Sequence, residues 1–337
     1  MILITGGTGL VGSHLLLHLI ESENIGNQKI RATYRSFKSI EKTKSLFESY
    51  QKSALFNIIE WVQADIIDIP ALEKAFVGID FVYHCAAVIS FDPKDEALIR
   101  KTNIEGTANV VNFCLSNNIT KLCYISSTAA LGDLPANQTI ITEETEWNPE
   151  KPHSDYAISK YGAEMEIWRG QQEGLEVIIV NPGVIIGVGF PEQGSGQLIK
   201  KIGEGLRFYT LGRTGFVAVR DVVKITAELM NSKITNERFT LIAETIDYKT
   251  FLMMLADALQ VKAPAYYISP FFMEVGWRVD WFISLVFRTK RQLTRATAKA
   301  SYSKNEFSNT KIKEALNIEF TPISTYIQEI KNLLLVQ

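Results

Sequence analysis

The chain is poor in cysteine: Cys85, Cys114 and Cys123 each lie in an apolar stretch, and no two have C-x-x-C spacing. So sparse and odd a set argues against a disulfide framework or cysteine metal site and predicts reduced thiols in a cytoplasmic protein. Basic blocks are also lacking, with 35 Lys and Arg against 37 Asp and Glu. The electrostatic footprint of a nucleic-acid partner is therefore absent. The longest apolar stretch, Phe271 to Phe287, is broken by Glu274, Arg278 and Asp280, which argues against a membrane span. The first strand pattern begins at Met1, leaving no room for a signal peptide. What is present, 46% hydrophobic over 337 residues and without internal repeats, predicts a globular chain with a sizeable core.

Its strongest local signal is the opening stretch from Met1 to Ser13. An aliphatic strand pattern runs into Gly6, Gly9 and Gly12 at G-x-x-G-x-x-G spacing, and Leu10 to Ile20 then reads as a helix. Such a junction aims bare backbone N–H groups and the positive end of a helix at one point, where a pyrophosphate fits. Gly6 permits the turn, Gly9 lets phosphates approach, and Gly12 lets the helix pack on its strand.

Strands and helices then alternate, as in a parallel sheet. Strand patterns cover Lys29–Tyr34, Asn57–Val62, Asp80–His84, Lys121–Ser126 and Glu176–Val180. Helical patterns include a long one from Asp92 to Asn117, with Ala97, Leu98, Ile104, Val111 and Cys114 as its apolar stripe, and one from Asp155 to Gln172. This order predicts an α/β fold, a doubly wound Rossmann sheet over 1–186 with 219–243 returning to it. Gly187, Gly189, Pro191, Gly194 and Gly196 mark a loop region, and residues 187–218 and 244–337 would form a smaller, discontinuous α+β substrate lobe, ending in a helical tail from Asn309 to Val336.

Tyr156 and Lys160 stand four apart on the second of those helices, so they share a face. A lysine ammonium beside a phenol favours phenolate and should lower a pKa that is ordinarily about 10, suiting the tyrosine to acid/base work on a carbonyl or alcohol. Ser126, Ser127 and Thr128 close the fifth strand at its carboxyl end, where open α/β sheets bind ligands. His14 and His18 are four apart but have no third partner, so no metal site is expected.

Together, Thr5-Gly-Gly-Thr-Gly-Leu-Val-Gly12, Asp65, His84-Cys-Ala-Ala87, Asn103, Ser126-Ser-Thr128, Tyr156-x-x-x-Lys160 and Asn181-Pro-Gly183 resemble the extended short-chain dehydrogenase/reductase family. The resemblance implies Tyr156 as acid/base, Lys160 as ribose ligand, Ser127 or Thr128 as the hydroxyl that orients substrate, and a supporting Asn103. It implies cofactor contacts at Gly6, Thr8, Gly9, Leu10, Val11 and Gly12, then Asp65 and Ile66 at the adenine. Ala86, Ala87, Val88, Ser126, Pro182, Gly183 and Val184 would border the nicotinamide.

Strand two ends Tyr34-Arg35-Ser36, with no acid before Glu41 to accept a ribose 2′-hydroxyl. Arg35 can instead pair with a 2′-phosphate, which predicts NADP, with NAD as the alternative. Apolar residues including Phe91, Tyr209, Tyr266, Phe271 and Trp277 predict a bulky, apolar carbonyl or alcohol as the small-molecule substrate. The same aromatics could equally be core, or a face resting on a membrane or partner. The resemblance also admits a homodimer through the long helix and the Tyr156 helix. The rival functions are a nucleotide-sugar epimerase or dehydratase retaining NAD, and a noncatalytic dinucleotide sensor.

Overall fold

The computed structural model describes residues 1–22, 29–289 and 291–335. Strand β1 (Ile2–Thr5) is buried along its length and passes through the glycine turn into α1 (Leu10–Glu21). β2 (Ile30–Tyr34), α2 (Phe37–Ser49), β3 (Glu60–Gln63), α3 (Ile69–Phe76) and β4 (Phe81–His84) come next in alternation. Asp68 starts α3 by accepting from the Ala71 N–H, with Pro70 in the first turn, where its missing donor costs nothing.

The expected long helix is present in three pieces: α4 (Glu96–Arg100), a π turn over Lys101–Glu105, and α5 (Gly106–Ser116). The wider turn rotates the inward face, so Leu98 of the predicted stripe is exposed while Ile99 and Asn103 are buried. Next come β5 (Lys121–Ile125), α6 (Asp155–Gln172) and β6 (Glu176–Pro182). Ser154 caps α6 by accepting from the Ala157 N–H.

Beyond β6 the chain forms β7 (Val184–Ile186), α7 (Gly194–Gly203), β8 (Arg213–Ala218), α8 (Val219–Asn231), β9 (Glu237–Leu241) and β10 (Glu244–Asp247). Helix α7 begins inside the glycine-marked loop region, and strand β8 falls in a stretch to which the sequence assigned no element. Its short apolar run, Phe216 to Ala218, enters α8 directly and has no period of its own to signal a strand. The chain ends in α9 (Tyr248–Ala258), α10 (Pro270–Phe287), α11 (Arg295–Ala300), α12 (Thr310–Leu316) and α13 (Ile323–Leu334). The helical tail was expected to reach Val336, which lies outside the described residues.

Seven strands make one sheet in the order β9-β6-β5-β4-β1-β2-β3, every neighbouring pair parallel. β7, β8 and β10 make a second, three-stranded sheet. Strands two and three lie on one side of β1 and strand four on the other, so the winding reverses between β1 and β4. A crevice opens there at the carboxyl ends of the strands. Behind it α8 packs on α1, burying Val222, Val223, Ile225 and Leu229. Each such side chain is worth about 1.5–3 kcal/mol in transfer free energy.

Candidate active site

The glycine turn lies at the winding reversal. Gly6 adopts φ +69°, and a Cβ there would fall 2.6 Å from the Ala86 nitrogen. A Cβ on Gly12 would lie 2.2 Å from the Gly6 carbonyl oxygen, so helix and turn meet at backbone contact. Gly9 is different: its nearest neighbour would be 3.5 Å away, and it begins α1 with no side-chain cap and no acid in the first turn. Uncapped N–H groups, a positive helix end and an open approach, flanked by half-buried Thr8, Leu10 and Val11, fit a pyrophosphate.

Across the crevice, α6 supplies Tyr156 and Lys160. Burial holds the Tyr156 phenol pKa above its ordinary value, with the neighbouring Ser127 hydroxyl pulling the other way. This reverses the direction expected from the Tyr156/Lys160 spacing. The Lys160 ammonium is committed elsewhere, donating to the Tyr124 hydroxyl at 2.6 Å and to the Ile125 carbonyl at 2.8 Å. Burial lowers the pKa of Lys160 to about 7, against the opposing pull of Glu164. An ammonium has three donors, so one is left to meet a ribose hydroxyl. Thr128 begins a 3₁₀ turn, while the Ser127 hydroxyl oxygen accepts from the Ala129 N–H at 3.1 Å. Of the two candidate hydroxyls, Ser127 is the one that bears on the Tyr156 phenol.

Beneath these residues runs a buried polar line. The Tyr124 hydroxyl lies beside Thr107, whose own O–H donates to the Asn103 carbonyl at 2.6 Å. His84 Nε2 is 3.0 Å from the Thr107 oxygen and His84 Nδ1 is 2.6 Å from Thr5 Oγ1. With the Thr107 proton spent on Asn103, Nε2 carries the imidazole proton and Nδ1 accepts from Thr5. Burial keeps His84 neutral, its pKa pushed down to about 3, with Lys160 adding to the effect. Asn103 ties the Val88 backbone at both N–H (2.8 Å) and C=O (2.9 Å) and donates to Ser159 at 3.0 Å. It thereby fixes the loop after β4 to the Tyr156 helix.

Glu164, one turn beyond Lys160, had not been singled out from the sequence. It accepts from Ser126 and from Asn181 Nδ2 (2.6 Å), and lies 3.3 Å from Arg238. Burial raises its pKa, opposed first by the Ser126 bond and then by Arg238. Ser126 thus directs its hydroxyl to Glu164, while Asn181 also donates to the Ser127 carbonyl at 2.9 Å.

The remaining predicted residues lie at or just past the strand ends. Arg35 is exposed just past β2, and among the described residues no carboxylate lies within ion-pair distance of it. Asp65 is half-buried after β3 and accepts from the Ile67 N–H at 3.2 Å. The Ile66 side chain is buried against Gly106, and its carbonyl accepts from Asn109 Nδ2 at 3.0 Å. Ala86 packs over Gly6, with Ala87 exposed next to it. Pro182 ends β6, Gly183 donates to the Leu241 carbonyl at 3.2 Å, and Val184 starts β7.

Among the predicted aromatics, Phe91 meets the Tyr156 ring edge-on, centroids 5.5 Å apart, and exposed Ile89 lies two residues away. Tyr209 instead packs on Tyr267 and under Lys249. Phe271 and Phe272 are exposed on α10. His14 is buried and bonded to the Leu10 carbonyl at 2.8 Å, and no group of three metal-ligating side chains occurs among the described residues.

The model of the NAD dependent epimerase/dehydratase family matches residues 2–241 of this chain. The putative dihydroflavonol 4-reductase of Synechocystis sp. is 32% identical over 185 residues, 55% of this chain and 49% of that protein. The sterol demethylase protein B of Methylococcus capsulatus is 26% identical, with 81% of this chain and 78% of that protein covered. Among solved structures, gox2253 superposes with a TM-score of 0.78 at 26% identity, covering 97% of this chain and 96% of that one.

Proposed function

The chain belongs to the NAD-dependent epimerase/dehydratase family, and we propose that it is an NADP(H)-dependent reductase of a bulky, apolar carbonyl compound. The observation that carries this reading is the Tyr156 phenol set beside the Ser127 hydroxyl, within a crevice opened by an uncapped glycine turn. A bound nicotinamide supplies hydride-transfer chemistry at its ring. The rest falls to the side chains. Burial keeps the Tyr156 phenol protonated at neutral pH, the form that gives a proton to a carbonyl oxygen. Ser127 orients that oxygen, and the third donor of Lys160 holds a ribose hydroxyl. Phe91 and Ile89 offer an apolar wall beside the phenol. The matched Synechocystis protein is named a putative dihydroflavonol 4-reductase, which supports a reductase reading.

Arg35, exposed and without a carboxylate partner among the described residues, favours the 2′-phosphate of NADP. Initial rates on a panel of apolar ketones with NADPH and NADH, for the wild type and Tyr156→Phe, test the proposal. NADPH-dependent turnover that falls about 10²–10⁴-fold in the variant, with NADPH binding retained, is the expected result. Purified protein that carries NAD through its cycle and interconverts nucleotide sugars would overturn it in favour of an epimerase.

A further inference from the structure

Helix α10 is an 18-residue element with one buried side chain, Ser284. Its exposed apolar residues, with Phe271, Trp281, Leu285 and Phe287 also exposed beyond the stripe, are concentrated on one side. Phe272, Val275, Val279, Phe282, Ile283 and Val286 recur at helical spacing and form one stripe, with Phe272 67% and Phe282 60% exposed. The opposite face carries Trp277, Asp280 and Ser284 and is the attached one. Arg291 lies 3.6 Å from Asp280 and donates to the Trp277 carbonyl, and the Gln292 N–H donates to Asp280 at 3.2 Å. The helix is therefore anchored along its polar side and presents its apolar side outward, the reverse of a helix that serves a core.

The chain from the end of α10 onward is strongly basic. Residues 281–305 contain six Lys and Arg and no Asp or Glu, in a protein whose net charge is −2. Arg288, Arg295, Lys299 and Lys304 of this stretch are exposed. Glu274, the remaining acid on α10, is paired with Arg278 at 2.7 Å. Tyr266 and Tyr267, just before the helix, are exposed as well, and tyrosine suits a membrane–water interface.

From the outward stripe and this charge we propose that α10 lies in the headgroup region of an anionic lipid bilayer, holding the protein on a membrane surface. An apolar face about 27 Å long, flanked by cations and aromatics, is the composition of an interfacial helix. Among the described residues no helix is long and apolar enough to cross a membrane, so the helix lies on the bilayer and does not span it. A second copy of the chain fits less well. A twofold contact through this face would bring two copies of the same basic stretch together, like charge against like.

Flotation of the full chain with vesicles of phosphatidylcholine alone, or mixed with phosphatidylglycerol, tests the proposal. Binding to the phosphatidylglycerol vesicles, weakened by added salt, is expected. Val279→Glu with Phe282→Glu should reduce it at least about tenfold, and Arg295→Gln about fivefold. Both variants should keep the wild-type thermal shift with NADPH, which shows that they remain folded. No flotation with either vesicle, or flotation unchanged in the double variant, overturns the proposal. So does a dimer by light scattering that Val279→Glu dissociates, which would assign the face to a second copy.

Discussion

The Lys160 ammonium donates to the Tyr124 hydroxyl across 36 residues of sequence, at 2.6 Å. Tyr124 is thus a positioning residue for the cation expected to hold the ribose. Tyr124→Phe removes an acceptor from a buried charged donor, at a cost of about 1–3 kcal/mol. With less to hold its proton, Lys160 should titrate below its present value of about 7. The alkaline fall in kcat should therefore begin at lower pH in the variant, read from pH–rate profiles. A purely structural role for Tyr124 would lower thermal stability without moving the profile.

Ser127 and Thr128 should separate cleanly. Ser127→Ala removes the hydroxyl beside the Tyr156 phenol and should lower kcat about 10²-fold. Thr128→Ala should stay within a few-fold of wild type. Single-turnover rates with NADPH in excess make the comparison.

Arg35→Ser should weaken NADP(H) binding about 10- to 100-fold, the worth of one charge-assisted hydrogen bond or ion pair in a partly exposed site. NAD(H) binding should hardly change. Equilibrium titration with both nucleotides gives the ratio, and equal losses for the two would remove Arg35 from the cofactor site.

The two turn glycines should fail differently. Gly12→Ala drives a Cβ to 2.2 Å from the Gly6 carbonyl oxygen, a backbone atom that cannot swing aside. A loss of about 1–3 kcal/mol in stability is expected. Gly9→Ala meets nothing closer than 3.5 Å and should melt like wild type, yet lose most of the thermal shift given by NADPH.

Acid should destabilise the fold through histidine. His14 is buried with its pKa pushed from 6.5 down to about 4 by desolvation. Between those values the unfolded chain binds a proton that the folded chain refuses. The stability His14 confers is full above about pH 6.5 and is lost as pH falls toward 4. His14→Gln should flatten the melting temperature across that window, measured by calorimetry.

The sheet and the glycine turn were legible because both are local: β1 is an aliphatic run, and Gly6, Gly9 and Gly12 lie within seven residues. Tyr156 and Lys160 were legible for the same reason, one helical turn apart. Tyr124 was not, since nothing local marks a strand tyrosine whose hydroxyl meets a lysine on another element. Glu164 carried an unused signal, its position four residues after Lys160 on the face already identified. Its partners Ser126, Asn181 and Arg238 come from three different strands or strand ends, so their convergence is a tertiary fact. The π turn hid the true stripe of its helix, because a regular period cannot represent an inserted residue.

Tyr156, Lys160 and Glu164 ride on one helix, whose rise of about 1.5 Å per residue sets them about 6 Å apart in succession. Their separation is inherited from the backbone of a single rod, so it does not depend on how the surrounding loops settle. The apolar wall at Ile89 and Phe91 belongs to a different segment, joined to that rod through Asn103. Substitutions in the wall can therefore reshape what the enzyme accepts while the distances that govern proton delivery stay as they are.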